Sequence, residues 1–270
     1  MTSSFRDGLL AGRHAFVTGG TSGINLGIAT RLARAGARAS LLGRNADRGA
    51  AAVDTVTRAG GEAAFHAADV RDFAAVARSL GEAVQRWGPV DILVNGAAGN
   101  FPAPAVGMSP NGFRAVVDID LVGTFNASRA AFEHLRQPGG VVINVSAPQA
   151  FAPAAFQSHV CAAKAGVDML TRVLAIEWGG VGIRVNSITP GPIAGTEGME
   201  RLAPGPEDRA RVARTIPLGR LGTLEDVAEA VLFLCSPAAA FVTGAVLVCD
   251  GGWSLNGLGS TALGGGGAGD

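Results

Sequence analysis

Along this chain, apolar runs of four to six residues alternate with longer stretches whose apolar positions recur every three to four residues. The short runs, rich in Val, Ile, Leu and Ala, predict strands at 14–18, 38–42, 63–66, 91–95, 141–145, 184–188 and 245–248. Helical periodicity covers 24–35, 46–59, 73–87, 112–136, 158–178 and 224–235. Strands that are apolar on both faces must be covered on both, and a helix follows every strand but the last. The pattern therefore predicts an α/β fold with a doubly wound, seven-stranded parallel sheet and helices on both faces. Neither a repeat nor a break in composition divides the chain. One domain over 1–253 is expected, with a flexible, glycine-rich tail over 254–270.

Composition narrows the partners. The chain has 270 residues, is 48% hydrophobic and 16% charged, and its formal net charge is zero. Such a balance recommends neither nucleic acid nor an anionic membrane and leaves a small-molecule substrate as the expected partner. Cys161, Cys235 and Cys249 are odd in number and unpatterned, as in a reducing compartment, and no metal site is expected. The first residues lack the charged-then-apolar layout of a secretion signal, and Ala268-Gly269-Asp270 is not a peroxisomal address. No apolar run approaches the roughly 20 residues of a membrane span, so the expected location is cytoplasmic.

The first strand leads directly into Thr18-Gly19-Gly20-Thr21-Ser22-Gly23-Ile24-Asn25, and a helix follows. Glycines there let the backbone turn tightly and approach a pyrophosphate, which the N–H groups of the helix start can bind. Asn25 stands where a third glycine is usual, and tolerance of left-handed geometry would suit it to that place. At the end of the second strand, Leu42-Gly43-Arg44-Asn45 offers no carboxylate to a ribose 2′-hydroxyl. Arg44 suits a 2′-phosphate and so points to NADP(H), the competing reading being a solvated arginine that starts a helix. Asp69-Val70, the segment from Asn95 through Ala97 to Asn100, and Pro190-Gly191-Pro192-Ile193 with Thr196 all follow carboxyl ends of strands. Together they outline one ligand crevice.

Two counts mark the candidate chemistry. Among 22 basic residues Lys164 is the lone lysine, and the chain has no tyrosine. A compact ammonium can reach neighbouring hydroxyls and tune a proton-transfer group where a planar guanidinium fits poorly. These residues and motifs together resemble the short-chain dehydrogenase/reductase family over about residues 10–253. The resemblance rests on the TGGTSGI turn, Asp69-Val70, the NGAAG segment, Asn144 with Ser146, Lys164, RVNSITPGPI and VTGAVLVCDGG. It implies a single doubly wound Rossmann domain and a nicotinamide cofactor. The cofactor would be held by Gly19, Thr21, Ser22, Gly23, Ile24, Arg44, Asn45, Asp69, Val70, Asn95, Ala97, Lys164, Pro190, Gly191, Ile193 and Thr196. It also implies a homotetramer packed through the long helices.

The chain departs from that family where the chemistry is done. Val160 occupies the place of the tyrosine four residues before the lysine, and Ala147 that of the serine seventeen before it. Ser146, next to Ala147, keeps one hydroxyl. Asp120 stands where the family has asparagine. Asp118 and Asp120 point about 200° apart around a helix, so Asp118 is expected at the surface and Asp120 inward, toward Lys164. Loss of tyrosine with gain of aspartate resembles the peroxisomal-type 2,4-dienoyl-CoA reductases. That resemblance implies an acyl-CoA substrate and NADPH-dependent reduction of a 2,4-dienoyl-CoA to a 3-enoyl-CoA. Hydride would go to Cδ, and a proton would reach Cα from a water held by Asp120, with Lys164 and Ser146 completing the catalytic set. Arg71, Phe101, Ser109, Asn111 and Arg201 match its substrate contacts. His159, roughly 140° from Lys164 on the wheel, is expected to pack or line the pocket. Two alternatives stand beside this one: a reductase of another carbonyl or enone, and a catalytically silent NADP-binding sensor.

Overall fold

The computed structural model describes residues 5, 6 and 8–256. Its sheet runs in the order β3-β2-β1-β4-β5-β6-β7 with every pairing parallel. The strands are β1 (His14–Thr18), β2 (Arg38–Gly43), β3 (Glu62–Ala67), β4 (Ile92–Asn95), β5 (Val141–Val145), β6 (Arg184–Pro190) and β7 (Val246–Cys249). All seven expected strands form, with ends shifted by two residues at most. Strand order reverses between β1 and β4, which opens a crevice at their carboxyl ends.

Alternate strand residues feed two cores. Ala15, Val17, Leu41, Ile92, Val94, Ile143 and Ile188 pack beneath α1 (Gly23–Arg34) and α2 (Ala46–Arg58). Phe16, Leu42, Leu93, Val142 and Val185 face α3 (Phe73–Trp87) and the helices that follow β4 and β5. Burial of apolar side chains on both faces is what holds a parallel sheet of this kind.

The helix expected at 112–136 is not one helix. It comprises α4 (Pro110–Val117), a π turn (Asp118–Val122) and α5 (Gly123–Ala131). Beyond Ala131 the chain leaves the helix because Val90 pairs with Leu135, the Val90 N–H donating to His134 O and the Arg136 N–H to Val90 O. A π turn widens the helix and re-aims its side chains, and such turns concentrate at functional sites. Two glycines make room for it. A Cβ at Gly123 would lie 2.6 Å from Val70 Cγ2, and one at Gly166 would lie 2.7 Å from Leu121 Cδ2. Gly166 belongs to α6 (Ser158–Gly179), the helix that carries Lys164.

Between β6 and β7 lie α7 (Glu197–Leu202), α8 (Pro206–Thr215) and α9 (Leu224–Cys235). Only α9 has an apolar face that periodicity can detect. No residue of α8 is buried, and the six residues of α7 are too few to show a period. Of the expected tail, Ser254, Leu255 and Asn256 belong to a 3-10 turn (Trp253–Asn256), with the Ser254 N–H donating to Asp250 Oδ2 at 2.8 Å. Residues 257–270 lie outside the described residues. Among the described residues, no helix is long and apolar enough to cross a membrane.

At the opposite end of the sheet, Asp91 ties β1 and β4 to the chain after α5. It accepts from Arg13 Nη1 at 2.6 Å, from the His14 N–H at 2.9 Å and from Arg136 Nε. Burial alone would raise its carboxyl, but the bonds from Arg136, Arg13 and His14 outweigh that and hold it below the usual range. A depressed carboxylate stabilises the fold above its unfolded pKa, and that contribution is lost as pH falls through the folded value. Asp91→Asn is therefore expected to lower stability at pH 7 by about 2 kcal/mol and to flatten the stability–pH curve below about pH 4. Urea unfolding of both proteins across pH 2.5–7 checks this.

Candidate active site

The crevice at the β1/β4 switch is a cleft of about 560 Å³. At one end is the glycine turn before α1. Gly19 has φ +66°, and a Cβ there would lie 2.8 Å from Ala97 Cα, so only glycine lets this turn meet the loop after β4. Thr18 Oγ1 accepts from the Gly96 N–H at 3.0 Å and binds the same two segments from beneath. Helix α1 starts with no side-chain cap on Ser22 and no acidic residue in its first turn. Its first N–H groups remain available to an anion, and the cradle fits a dinucleotide pyrophosphate.

Asn25 does not use left-handed geometry. It lies within α1, and the described non-glycine residue at positive φ is Phe156. Its side chain instead reaches the loop after β4, where Nδ2 donates to Gly96 O at 2.7 Å. A Cβ at Gly96 would lie 2.0 Å from Asn25 Oδ1, so a glycine absent from the helix is matched by one in the loop.

At the far end, the π turn delivers Asp120 to Lys164. Asp120 is 1% exposed, and its Oδ2 lies 3.3 Å from Lys164 Nζ. Asp120 Oδ1 accepts from the Gly99 N–H at 2.7 Å, and Lys164 Nζ donates to Val145 O at 2.9 Å. A buried ion pair survives when further hydrogen bonds satisfy its members, as here. Asp118, expected at the surface, is half-buried. Ser146 Oγ is buried without a partner among the described residues, and Val160 contributes only methyl groups. Below them Asn95 Nδ2 donates to Ser128 Oγ and Asn144 Oδ1, and Asn144 Nδ2 to Thr171 Oγ1, each at 2.8 Å. That network braces β4, β5, α5 and α6 behind the site.

This arrangement has relatives. A family model described as enoyl-(acyl carrier protein) reductase matches residues 19–254. The peroxisomal 2,4-dienoyl-CoA reductase [(3E)-enoyl-CoA-producing] of Pongo abelii is 45% identical over 247 residues, which are 90% of this chain and 84% of that protein. The chain is a short-chain dehydrogenase/reductase. A Bacillus subtilis member named as a probable 2,4-dienoyl-CoA reductase [(2E)-enoyl-CoA-producing] is 41% identical, over 89% of this chain and 96% of that one. Among solved structures, a gluconate 5-dehydrogenase from Burkholderia cenocepacia in complex with NADP and tartrate superposes with a TM-score of 0.83 at 30% identity. It covers 91% of this chain and 96% of that one. Members of the family are oxidoreductases that use a nicotinamide cofactor, and so is this enzyme an oxidoreductase.

In this short-chain dehydrogenase/reductase the cleft brings together most of the expected residues. Gly19, Thr21, Ser22, Gly23, Ile24, Arg44, Asp69, Val70, Ala97, Asp120, Ser146, Lys164 and Thr196 line it. Others serve elsewhere. Asn45 caps α2 by accepting from the Arg48 N–H, and Asn95 is spent on the bracing network. Pro190 and Gly191 are outside the cleft wall, and Ile193 lines a separate apolar groove with Pro192 and Leu218. Of the expected substrate contacts, the Arg71 guanidinium donates two bonds to Asp69, of 3.0 and 2.6 Å. Its bond, against the effect of partial burial, holds the Asp69 carboxyl below the usual range. Ser109 caps α4 by accepting from the Gly112 N–H, Asn111 is exposed on that helix, and Arg201 pairs with Glu197 on α7. Phe101 meets His159 edge to face, with ring centroids 4.6 Å apart, so His159 packs and is fully buried.

Among the polar residues of the cleft wall, the sequence reading does not single out Arg48, Gln149 and Glu197. Arg48 stands four positions after Arg44, a spacing that could have suggested a second guanidinium at that end. It donates to Glu197 Oε1 at 3.1 Å and so links the start of α2 to α7 across the cleft. Gln149 lies in a loop, where no periodicity reports direction.

Proposed function

We propose that this enzyme uses NADPH to reduce a 2,4-dienoyl-CoA to a 3-enoyl-CoA. The observation that carries the reading is the buried Asp120–Lys164 pair beside Val160, a carboxylate and an ammonium where the family's phenol acid is missing. Reduction of a simple ketone needs an acid that delivers a proton to oxygen, and this site lacks the usual one. Conjugate reduction only requires that charge on the thioester oxygen be stabilised while a carbon is protonated. The names carried by the Pongo and Bacillus relatives support the same substrate class.

Bound NADPH would supply the hydride to Cδ. Ser146 donates its free hydroxyl toward the thioester oxygen. Asp120, with lone pairs left on both oxygens, holds the water that protonates Cα. Lys164 neutralises Asp120 and holds the nicotinamide ribose. Arg44, mostly exposed in the cleft wall, binds the 2′-phosphate, with Arg48 as a second cation at that end. The outward faces of α5 and α6 expose Phe125, Met169, Val173 and Ile176, which supports a tetramer packed through these helices.

NADPH oxidation with 2,4-hexadienoyl-CoA, followed by identification of the product isomer, tests the reading. No turnover at any dienoyl chain length would sink it. A 2-enoyl product, the kind named for the Bacillus relative, would overturn protonation at Cα. In the same assay Arg44→Ala is expected to raise the KM for NADPH about 10- to 100-fold, the worth of a charge-assisted phosphate contact, and to leave the KM for NADH nearly unchanged. Equal effects on both cofactors would remove Arg44 from the 2′-phosphate.

A further inference from the structure

Three buried polar atoms of cleft-lining residues have no partner among the described residues: Asn25 Oδ1, on a side chain already tied to Gly96 O through its Nδ2, Ser146 Oγ and Gln149 Oε1. Their residues line the cleft together with Asp120, Val160 and Lys164. Ser146 already has a role. Gln149 has none, although its placement is not accidental. It sits in the single 3-10 turn (Pro148–Ala150) after β5, and its Nε2 donates to Gln157 Oε1 at 3.0 Å. Gln157 is the residue from which α6 starts. The Gln149 side chain is thus pinned at its tip instead of swinging in solvent, and the other amide atom, Oε1, is left without a partner.

Burying a hydrogen-bonding group without a partner costs free energy, and such groups persist where a ligand satisfies them. The paired amides can invert without losing their bond. Gln157 Nε2 then donates to Gln149 Oε1, and the Gln149 N–H₂ turns to the cleft. In that setting this end of the cleft offers two neutral donors, the Ser146 hydroxyl and the Gln149 amide. Lys164 is engaged with Val145 O and Asp120, and Val160 offers nothing polar. A reaction that builds negative charge on a carbonyl oxygen is accelerated by donors fixed in advance at that oxygen. One hydroxyl alone is a thin provision.

We propose that Gln149 is a catalytic residue which, with Ser146, binds the carbonyl oxygen of the substrate thioester and takes the second donor position in a site without a phenol. The proposal rests on the dienoyl-CoA reading and deepens it. Steady-state kinetics on 2,4-hexadienoyl-CoA and fluorescence titration with NADPH, on wild type, Gln149→Met and Gln149→Glu, test it. Methionine keeps the shape and removes the amide; kcat is expected to fall about 100-fold, with NADPH affinity within about twofold of wild type. Glutamate keeps an acceptor but repels the forming charge, so kcat should fall further. Wild-type activity in Gln149→Glu would overturn the donor role, since it would show that an acceptor suffices. An unchanged kcat in Gln149→Met would overturn any role at the oxygen, and weakened NADPH binding in that variant would show the residue to be structural. A wild type that binds NADPH yet ignores dienoyl-CoA removes the substrate reading and this assignment together. Turnover by wild type with an indifferent Gln149→Met removes this assignment alone.

Discussion

Asp120→Asn is expected to lower kcat by about 100-fold or more while NADPH still binds nearly as well as to wild type. Asparagine keeps the oxygen that accepts from the Gly99 N–H, so the loop after β4 retains its anchor. What disappears is the charge. The carboxylate can no longer hold and polarise a water beside the substrate, and the Lys164 ammonium remains buried without its counter-charge. Breaking a buried pair from one side costs about 3–5 kcal/mol, so a fall in the urea midpoint should accompany the loss of turnover. The two effects can be separated. In Asp120→Leu combined with Lys164→Met both charges are gone, and an apolar pair of similar volume is often neutral or better for stability. The double variant should regain the unfolding midpoint and stay inactive. Turnover that returned with stability would make Asp120 a structural residue, as would equal losses of kcat and NADPH affinity in Asp120→Asn.

Gly19→Ala should nearly abolish cofactor binding. Two independent features of the backbone oppose a side chain there. The residue sits at φ +66°, and the added Cβ would lie 2.8 Å from Ala97 Cα and 2.9 Å from Ala97 N. Those are main-chain atoms of the facing loop, and they cannot rotate away as a side chain would. A cost of about 3 kcal/mol corresponds to about a 100-fold weaker NADPH complex. Gly23→Ala is the informative control. Its φ is +54°, yet the nearest atom to an added Cβ is Thr196 Cγ2 at 4.0 Å, so only backbone strain applies. Fluorescence titration should place it about 10-fold weaker than wild type, between the two. Tight NADPH binding by Gly19→Ala would mean that the phosphate loop is not where the cofactor docks.

Some of this was open to reading along the chain and some was not. Strands announce themselves when both faces are buried, so Phe16 and Val17 marked β1 although they serve opposite cores. The inward turn of Asp120 also follows from angle counting, and the structure agrees, whereas Asp118, expected at the surface, is half-buried. The same counting failed to find the π turn that contains both, because a five-residue change of pitch leaves no trace in apolar spacing. Room for it depends on Gly123 facing Val70 and Gly166 facing Leu121, contacts between residues some 45 to 53 positions apart. Asn25 is a similar case. Its oddity in a glycine turn was visible, but its partner Gly96 lies across the crevice. Arg71, Ser109 and Arg201, expected at ligand contacts, each have a partner close by in the chain, which their spacing alone does not announce.

The sequence by itself determined the parallel sheet, the phosphate-binding turn, the absence of a tyrosine acid and the solitary lysine. Each of these depends on residues close together in the chain or on simple presence and absence, and local spacing transmits such information faithfully. Only the tertiary structure decided that Asp120 lies 3.3 Å from Lys164, that Asn95 is spent on bracing, and that Gln149 stands at the cleft with half its amide unpaired. Those outcomes depend on how separate helices and loops pack against the same end of the sheet. Packing is settled by shape and volume summed over many distant residues, and no local pattern encodes that sum.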